Sequence, residues 1–323
     1  MSTKDHILSY LKERKGNWVS GESISGKVAV SRTAIWKHIH KLKEEGYDIA
    51  SAPKKGYLFH QAPDLLLPHE IREDLDTRFL GKGEIDYQRE TDSTNARAKD
   101  LAAKDAPEGT LVLSEAQKKG RGRRGRYWFS PPGEGIYVSL ILRPDISPIE
   151  VPKITLLAAV AMAETLFHLT PLDIRIKWPN DILVKGRKLA GILTELSAEM
   201  EVTNFVVVGL GLNVNMPRFP PELERAATSV FMETGTYYSR ITLLREYLRQ
   251  FERHYDILLT AGFGPVLKRW RELADIIGRR ILVEMINDRC IGTVKEIDDH
   301  GVLILEDEKG GSRRILSGDL SFL

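Results

Sequence analysis

A single cysteine, Cys290, stands among 323 residues, which excludes an internal disulfide framework and an all-cysteine zinc site and fits a reducing compartment. Long hydrophobic runs are also missing. The longest uncharged stretches, 154–163 and 202–217, fall short of the roughly 18 apolar residues a membrane helix needs, and asparagines interrupt the second. The opening MSTKDHILSYLKERKG has no apolar leader core, so a cytoplasmic protein is expected. Neither G-x-S-x-G nor H-E-x-x-H occurs and no motif surrounds Cys290, so covalent acyl transfer and zinc hydrolysis lack support. What is present is an ordinary folding composition, 42% hydrophobic and 28% charged, which excludes a disordered or fibrous chain. The length fits two or three domains.

The net charge of +2 is unevenly spread. Residues 1–60 hold 11 Lys plus Arg against 6 Asp plus Glu, a net of +5, so residues 61–323 carry −3. Within that acidic remainder Lys118, Lys119, Arg121, Arg123, Arg124 and Arg126 form a second basic concentration. Two anionic partners are expected, one for each patch.

Ser2 and Asp5 have the spacing of a capping box, and Ile7, Leu8 and Leu11 lie on one face of a helix expected to run to Lys15 and stop at Gly16. Ser20-Gly21-Glu22 begins a short helix to Val28, and Ser31 is a good cap for a third helix over 32–45. In that third helix Ile35, Ile39 and Leu42 recur at i, i+4 and i+7, leaving Arg32, Thr33, Trp36, Lys37 and His40 on or near a polar, basic face. Short strands over 47–50 and 56–59 flank a turn at 51–55. This is the order of a winged helix-turn-helix. One reading puts the helix from Ser31 in a DNA major groove with Lys54 and Lys55 on phosphate; the other is a protein-interaction or dimerisation module. Pro63 and Pro68 mark a linker, with a boundary near residue 63.

Four motifs follow in close order. Thr91-Asp92-Ser93-Thr94-Asn95 lies between an expected strand over 85–89 and a helix over 96–103, where its hydroxyls and amide either cap the helix or bind a polar neutral ligand. Gln117-Lys118-Lys119-Gly120-Arg121-Gly122-Arg123-Arg124-Gly125-Arg126-Tyr127-Trp128 satisfies G-x-G-x-x-G, but strand-like sequence follows instead of the helix a dinucleotide fingerprint requires. Alternating Arg and Gly suit an anion-binding loop, or a nonspecific nucleic-acid-binding one. Lys177-Trp178-Pro179-Asn180-Asp181 sets a cation and a carboxylate four apart, for a structural pair or for nucleotide phosphates with Mg²⁺. Lys185-Gly186 reads as a hairpin turn, so that Lys188 in Arg187-Lys188-Leu189-Ala190-Gly191-Ile192-Leu193 projects from the return strand. Beyond it, Gly209, Gly211 and Asn213 fall in a strand whose glycines permit either close approach of a ligand or tight packing.

Together, Asp92-Ser93-Thr94-Asn95, the Arg-Gly loop, Lys177-Trp178-Pro179-Asn180-Asp181 and the Lys188 segment resemble the biotin protein ligases, and the winged helix makes the chain similar to their bifunctional members, which are both ligase and biotin operon repressor. The resemblance implies an α+β multidomain chain. Residues 1–63 would be the DNA-binding domain, 64–274 a catalytic domain related to class II aminoacyl-tRNA synthetases, and 275–323 an SH3-like barrel. Short strands expected over 280–285, 289–297, 302–306 and 312–316 support the last part. Helices over 241–260 and 265–273 would bridge the two.

The reaction so implied joins biotin to AMP from MgATP, then passes biotin to a lysine of a biotin carboxyl carrier domain. The resemblance places Ser93, Thr94, Asn95 and Gln117 on the biotin head and Arg121, Gly122 and Arg123 over biotin and phosphate. Lys188 would hold the carboxylate and α-phosphate as the central catalytic residue with Arg123. Gly191, Gly209, Gly211 and Asn213 would lie along the ligand, Trp128 would offer a stacking surface, and Arg124, Lys177 and Asn180 would approach phosphate. Asp181 is the expected Mg²⁺ contact. Ser31, Arg32, Thr33, Trp36, Lys37, His40, Lys54 and Lys55 would meet operator DNA, with a homodimer forming once the adenylate orders the Arg-Gly loop. The competing readings are an octanoate or lipoate ligase and a biotin-sensing repressor without ligase activity.

Overall fold

The computed structural model describes residues 3–274, 276–285, 288–307, 310–316 and 318–323. The chain divides into two compact units, residues 1–65 and 66–323.

In the first unit, helices α1 (Thr3–Lys12), α2 (Gly21–Val28) and α3 (Arg32–Glu44) pack on an antiparallel sheet of β1 (Trp18–Val19), β2 (Asp48–Ala52) and β3 (Gly56–Gln61), in the order β1-β3-β2. Ile7, Leu11, Ile24, Ile35, Ile39 and Leu42 are fully or almost fully buried, which is the face that the helical spacing predicts. Ser20 and Ser31 cap α2 and α3, accepting from Ser23 N at 3.0 Å and Ala34 N at 3.2 Å. Ser2, the first half of the expected capping box, lies outside the described residues. Helix α1 ends at Lys12 rather than Lys15. There i−3 bonds, Arg14 N to Leu11 O and Lys15 N to Lys12 O, tighten the chain into Gly16, whose φ is 80°.

The second unit is built on a seven-stranded sheet, β4 (Ile85–Gln88), β5 (Leu111–Ser114), β6 (Gly135–Leu142), β7 (Ile174–Lys177), β8 (Asp181–Val184), β9 (Arg187–Glu199) and β10 (Val202–Asn213), in the order β4-β5-β6-β10-β9-β8-β7. Only the β4–β5 pair is parallel. Helix α4 (Pro68–Arg72) precedes the sheet, α5 (Thr94–Ala102) lies on one face, and α6 (Val151–Leu169) on the other. Past β10 come α7 (Val230–Thr234), α8 (Arg240–Ala261) and α9 (Gly264–Ala274).

Period-two alternation assigns the two faces. Leu111, Leu113, Leu140, Leu142, Val206 and Val208 belong to the large core under α6, whereas Val112, Ile141, Phe205 and Val207 join Ala98 and Ala102 of α5. The uncharged run 154–163 lies in α6, which is apolar nearly all round because it is sandwiched between the sheet and α8 and α9. Among the described residues no helix is long and apolar enough to cross a membrane.

The expected C-terminal strands are present as β11 (Arg280–Glu284), β12 (Arg289–Ile297), β13 (Leu303–Glu306) and β14 (Ser312–Ile315), joined by an unforeseen β15 (Asp319–Phe322). They form an antiparallel sheet in the order β14-β13-β12-β11-β15. Its two ends are not paired among the described residues, so the sheet is open. Its inward residues, Ile281, Val283, Val294 and Leu303 among them, belong to the same core as α6.

A buried ionic cluster ties the three long helices together. Glu164 of α6 lies 2.8 Å from His254 Nε2 of α8 and accepts from Arg269 Nε of α9 at 2.8 Å. Burial alone would raise the Glu164 pKa, but the hydrogen bonds with His254 and Arg269 outweigh it and hold the carboxyl at about 2. A depressed folded-state pKa stabilises fully above the ordinary glutamate value of 4.5 and ceases to do so as pH falls toward 2. Denaturant titrations should therefore show wild type exceeding Glu164→Gln in stability at pH 6, with the gap closing steadily between pH 4.5 and 2.

Candidate active site

On the α5 face of the sheet, alternation brings small residues together. Gly209 and Gly211 of β10 pair in register with Leu193 and Gly191 of β9 and with Ser139 and Tyr137 of β6, leaving a hollow where Val207 and Ile141 would otherwise be continued by large side chains. A register shift between β8 and β9 adds a second effect. Asp181 opposes Gly191 and Leu183 opposes Lys188, so Lys188, three residues from Gly191, shares its face. The result is a cavity of about 280 Å³.

Along β10 the lining changes character. At Gly209 the Asn95 side chain lies so close that a Cβ there would sit 2.0 Å from Asn95 Oδ1. Ser93 caps α5, Gln117 Oε1 accepts from Thr94 N at 2.9 Å, and Ser139 Oγ lies 2.6 Å from Asn95 Oδ1 and 2.9 Å from Thr94 Oγ1. At Gly211 the Trp128 indole crosses the strand, and its buried N–H has no acceptor among the described residues. At Asn213 the amide donates to Thr228 O at 2.9 Å and to Lys188 O at 3.5 Å, fixing the returning loop against the Lys188 strand. Lys188 Nζ pairs with Asp181 at 2.7 Å and lies 5.3 Å from the Trp128 ring centroid.

The Arg-Gly loop closes over this hollow. It turns through a single 3₁₀ turn at Arg123–Gly125 with Arg124 at φ 55°, and Gly122 N donates to Arg126 O at 2.7 Å. The C-terminal sheet fastens it: Arg123 donates to Gly318 O at 3.2 Å, and Arg124 and Arg126 pair with Asp319 at 3.2 and 2.7 Å. Arg123 also donates to Asn180 Oδ1 at 3.3 Å. Burial lowers the Arg123 pKa more than Asp319 and Asp181 raise it, and burial likewise dominates at Lys177, where Asp181 compensates only in part. Of the two, Arg123 lines the cavity, where it is a partly buried cation that the neighbouring carboxylates neutralise only in part.

Ser93, Thr94, Asn95, Gln117, Arg121, Gly122, Arg123, Trp128, Asn180, Asp181, Lys188, Gly191, Gly209, Gly211 and Asn213 all line this one cavity. Arg124 and Lys177 do not: Arg124 is turned toward Asp319, and Lys177, the register partner of Asp181 in the β7–β8 hairpin, is not part of the lining. The glycines at 209 and 211 accommodate site side chains directly, so tight packing and ligand access are one arrangement there.

Sequence reasoning missed the far wall. Phe219, Leu223, Ala226 and Ala227, from a stretch that carries no chemical motif, line the cavity, with Phe219 against Phe129 at 6.3 Å. The segment is held by Lys188 N donating to Ala226 O at 2.8 Å and Thr228 N to Lys188 O at 2.9 Å. Arg126, Tyr127, Phe129, Ile192, Leu193, Leu210 and Asp319 complete the additional lining. The one available signal was the excess of arginines in the loop, which called for a carboxylate somewhere in the chain.

In the first unit Ser31, Arg32, Thr33, Trp36, Lys37 and His40 are exposed on α3, with Trp36 at 57%. A concave surface between α3 and the β2–β3 wing is lined by Arg32, Trp36 and Lys54, while Lys55 lies 5.7 Å from the Trp18 ring centroid. Arg32 pairs with Glu22 and His40 contacts Glu44, each at 3.1 Å.

The biotin/lipoate A/B protein ligase family matches residues 87–213, a helix-turn-helix family residues 3–58, and the biotin protein ligase C-terminal domain family residues 276–323. The chain is 41% identical over 322 residues to the bifunctional ligase/repressor BirA of Bacillus subtilis, covering 99% of this chain and 98% of that one. It belongs to the bifunctional biotin protein ligase/repressor family. Its identity to the Escherichia coli bifunctional ligase/repressor BirA is 32% over 306 residues, 95% of this chain and 93% of the relative. A solved biotin protein ligase from Aquifex aeolicus, in complex with biotin and ATP, superposes with TM-score 0.65 at 27% identity, covering 74% of this chain and 98% of that one.

In this biotin protein ligase family member the cavity depends on Gly211 having no side chain, since a Cβ would lie 2.4 Å from the Trp128 indole. Gly211→Ala should destabilise the fold by about 1–3 kcal/mol through overpacking. Thermal denaturation would measure this. Trp128→Phe in the Gly211→Ala background should recover part of the loss.

Proposed function

We propose that the protein activates biotin with MgATP to biotinyl-5′-AMP, transfers biotin to a lysine of a biotin carboxyl carrier domain, and represses biotin genes as a DNA-bound dimer with the adenylate as corepressor. The observation that carries this reading is one cavity in which neutral amide and hydroxyl groups precede a cation cluster along β10. From Gly209 to Asn213 a strand advances roughly 13 Å, room for a polar ring system followed by an acid tail that reaches Lys188.

Biotin's carboxylate oxygen attacks the α-phosphorus of ATP and the bond to pyrophosphate breaks. The acceptor amine then attacks the acyl carbon and AMP leaves. Ser93, Thr94, Asn95 and Gln117 hold the head group, while Lys188 and Arg123 meet the carboxylate and α-phosphate, and Trp128 underlies the chain. Fixed cations act where negative charge shifts during the transfer, and they lose little reorganisation energy because Asp181, Asn180 and Gly318 already orient them. Phe219, Leu223 and Ala227 supply an apolar wall for the nucleotide base. Mg²⁺ enters with ATP as substrate and requires only one or two protein carboxylates. We assign that part to Asp181, which lines the cavity beside Lys188 and pairs with that one cation at 2.7 Å, whereas the other cavity carboxylate, Asp319, is held by two, Arg124 and Arg126.

The exposed basic face of α3 and the wing lysines support DNA binding, with Ser31 capping the recognition helix. We assign residues 1–63, 64–274 and 275–323 to the DNA-binding, catalytic and C-terminal parts. The last two are read as a class II synthetase-like domain and an SH3-like module.

Purified protein with biotin, MgATP and a biotin carboxyl carrier domain should add one biotin mass to the acceptor, and Lys188→Ala should slow this by about 10²-fold or more. An ATP-independent mass gain, or none, would count against the ligase. For DNA, a fragment selected by the wild-type protein should bind more tightly with biotin and MgATP present. Lys37→Ala should weaken binding evenly across sequences and reduce the salt slope by about 1, whereas Arg32→Ala should also relax base preference.

A further inference from the structure

Glu195, which lies outside the cavity lining, fixes the orientation of the Asn95 side chain inside it. Asn95 is 4% exposed, and its Nδ2 lies 3.1 Å from Leu193 O and 3.0 Å from Glu195 Oε2. Both partners are acceptors only, so the amide nitrogen must face them and the carbonyl must face the other way. Ser139 Oγ lies 2.6 Å from that carbonyl. Leu193 is on the same strand as Glu195, and Glu195, outside the cavity lining, is braced by Lys99 of α5 at 3.0 Å.

Gln117 has the opposite polarity. Its Oε1 accepts from Thr94 N at 2.9 Å, which sends Nε2 toward Ser130 Oγ at 3.0 Å. Ser130 Oγ in turn donates to Trp128 O at 3.0 Å, so it meets Gln117 with a lone pair. Both amide hydrogens of Asn95 are used and a carbonyl lone pair is left, whereas Gln117 keeps one N–H.

We infer that Glu195 is a positioning residue: with Lys99 behind it, it locks the Asn95 amide so that the cavity offers a carbonyl acceptor alongside the Gln117 donor, the pair that complements the N–H and C=O of a cyclic urea. This rests on the reading of the cavity as a biotin site. Without Glu195 one of two orienting acceptors is gone, and Asn95 is free to turn its nitrogen toward Ser139, whose hydroxyl accepts as well as donates. A ligand N–H would then meet an N–H.

The test is steady-state kinetics on the full-length protein with biotin and with analogues in which one ring N–H is replaced by oxygen. Glu195→Ala should raise KM for biotin by about tenfold, with kcat and KM for ATP held within about twofold, and should lose most of the wild-type preference for biotin over the cyclic carbamate analogues. Glu195→Gln, whose own amide can face Asn95 with either end, should fall between, and it carries the same comparison if the alanine variant does not fold. An unchanged biotin KM, or a rise equal for biotin and its analogues, overturns the inference and leaves Glu195 a structural residue. Absence of biotin turnover in the wild type would instead remove the functional reading itself.

Discussion

The site depends on one constraint, the period-two alternation of the central sheet. Side chains at 206, 208 and 210 face α6, so 207, 209, 211 and 213 must face α5. That face is filled by Phe205 and Val207 against α5 and then runs out of side chain at Gly209 and Gly211. The hollow is thus a break in a packed layer, and Asn95 and Trp128 have moved into the space that two Cβ atoms would have occupied. Moving the strand by one residue would put the glycines into the core and the valines into the cavity, so the buried core itself fixes the site's register.

Charge is distributed on this frame with few groups left alone. Arg240, with no exposed surface, pairs with buried Glu115 at 2.8 Å and donates to Gly135 O at 3.0 Å, while Leu66 N donates to the other Glu115 oxygen at 2.8 Å. Such a pair is weak evidence of net stability because both charges are desolvated. It does, however, tie the start of the second unit to the strand leading into Gln117 and to the start of β6. Asp319 serves similarly at the surface, where Arg124 and Arg126 converge on it. The C-terminal sheet therefore takes part in shaping the site, and Arg123 and Lys188 remain inside it with their charge only partly neutralised by Asp181 and backbone carbonyls. The cavity wall from 219 to 227 depends on the same economy, since its attachment is two backbone hydrogen bonds to Lys188 and the Asn213 amide.

What was legible in the sequence was local. Ser20 and Ser31 cap helices because a hydroxyl next to an apolar period satisfies free backbone N–H groups, and the hairpin at Lys185-Gly186 follows from turn chemistry at adjacent residues. The Arg-Gly loop, the Lys188 segment and the glycines of β10 were visible as residue types that chemistry at phosphorus would employ. Family resemblance added their common purpose, and all but Arg124 and Lys177 of the residues it placed at the ligand line the same cavity.

Tertiary structure alone decided what those residues touch. Asp319 lies 193 residues from Arg126, and no local pattern couples an aspartate in a short edge strand to a distant loop. Phe219 and Leu223 become a binding wall only because the chain after β10 folds back on Lys188. The polarity of Asn95 depends on Glu195, 100 residues away, and the orientation of Lys188 on a register shift between two strands. By itself the sequence determined the N-terminal helices, their caps, the charges and the chemical repertoire, since these follow from interactions within a few residues. The cavity, the direction of each amide and the closure of the loop are contacts between segments far apart in the chain, and they exist only once the sheet has set its register.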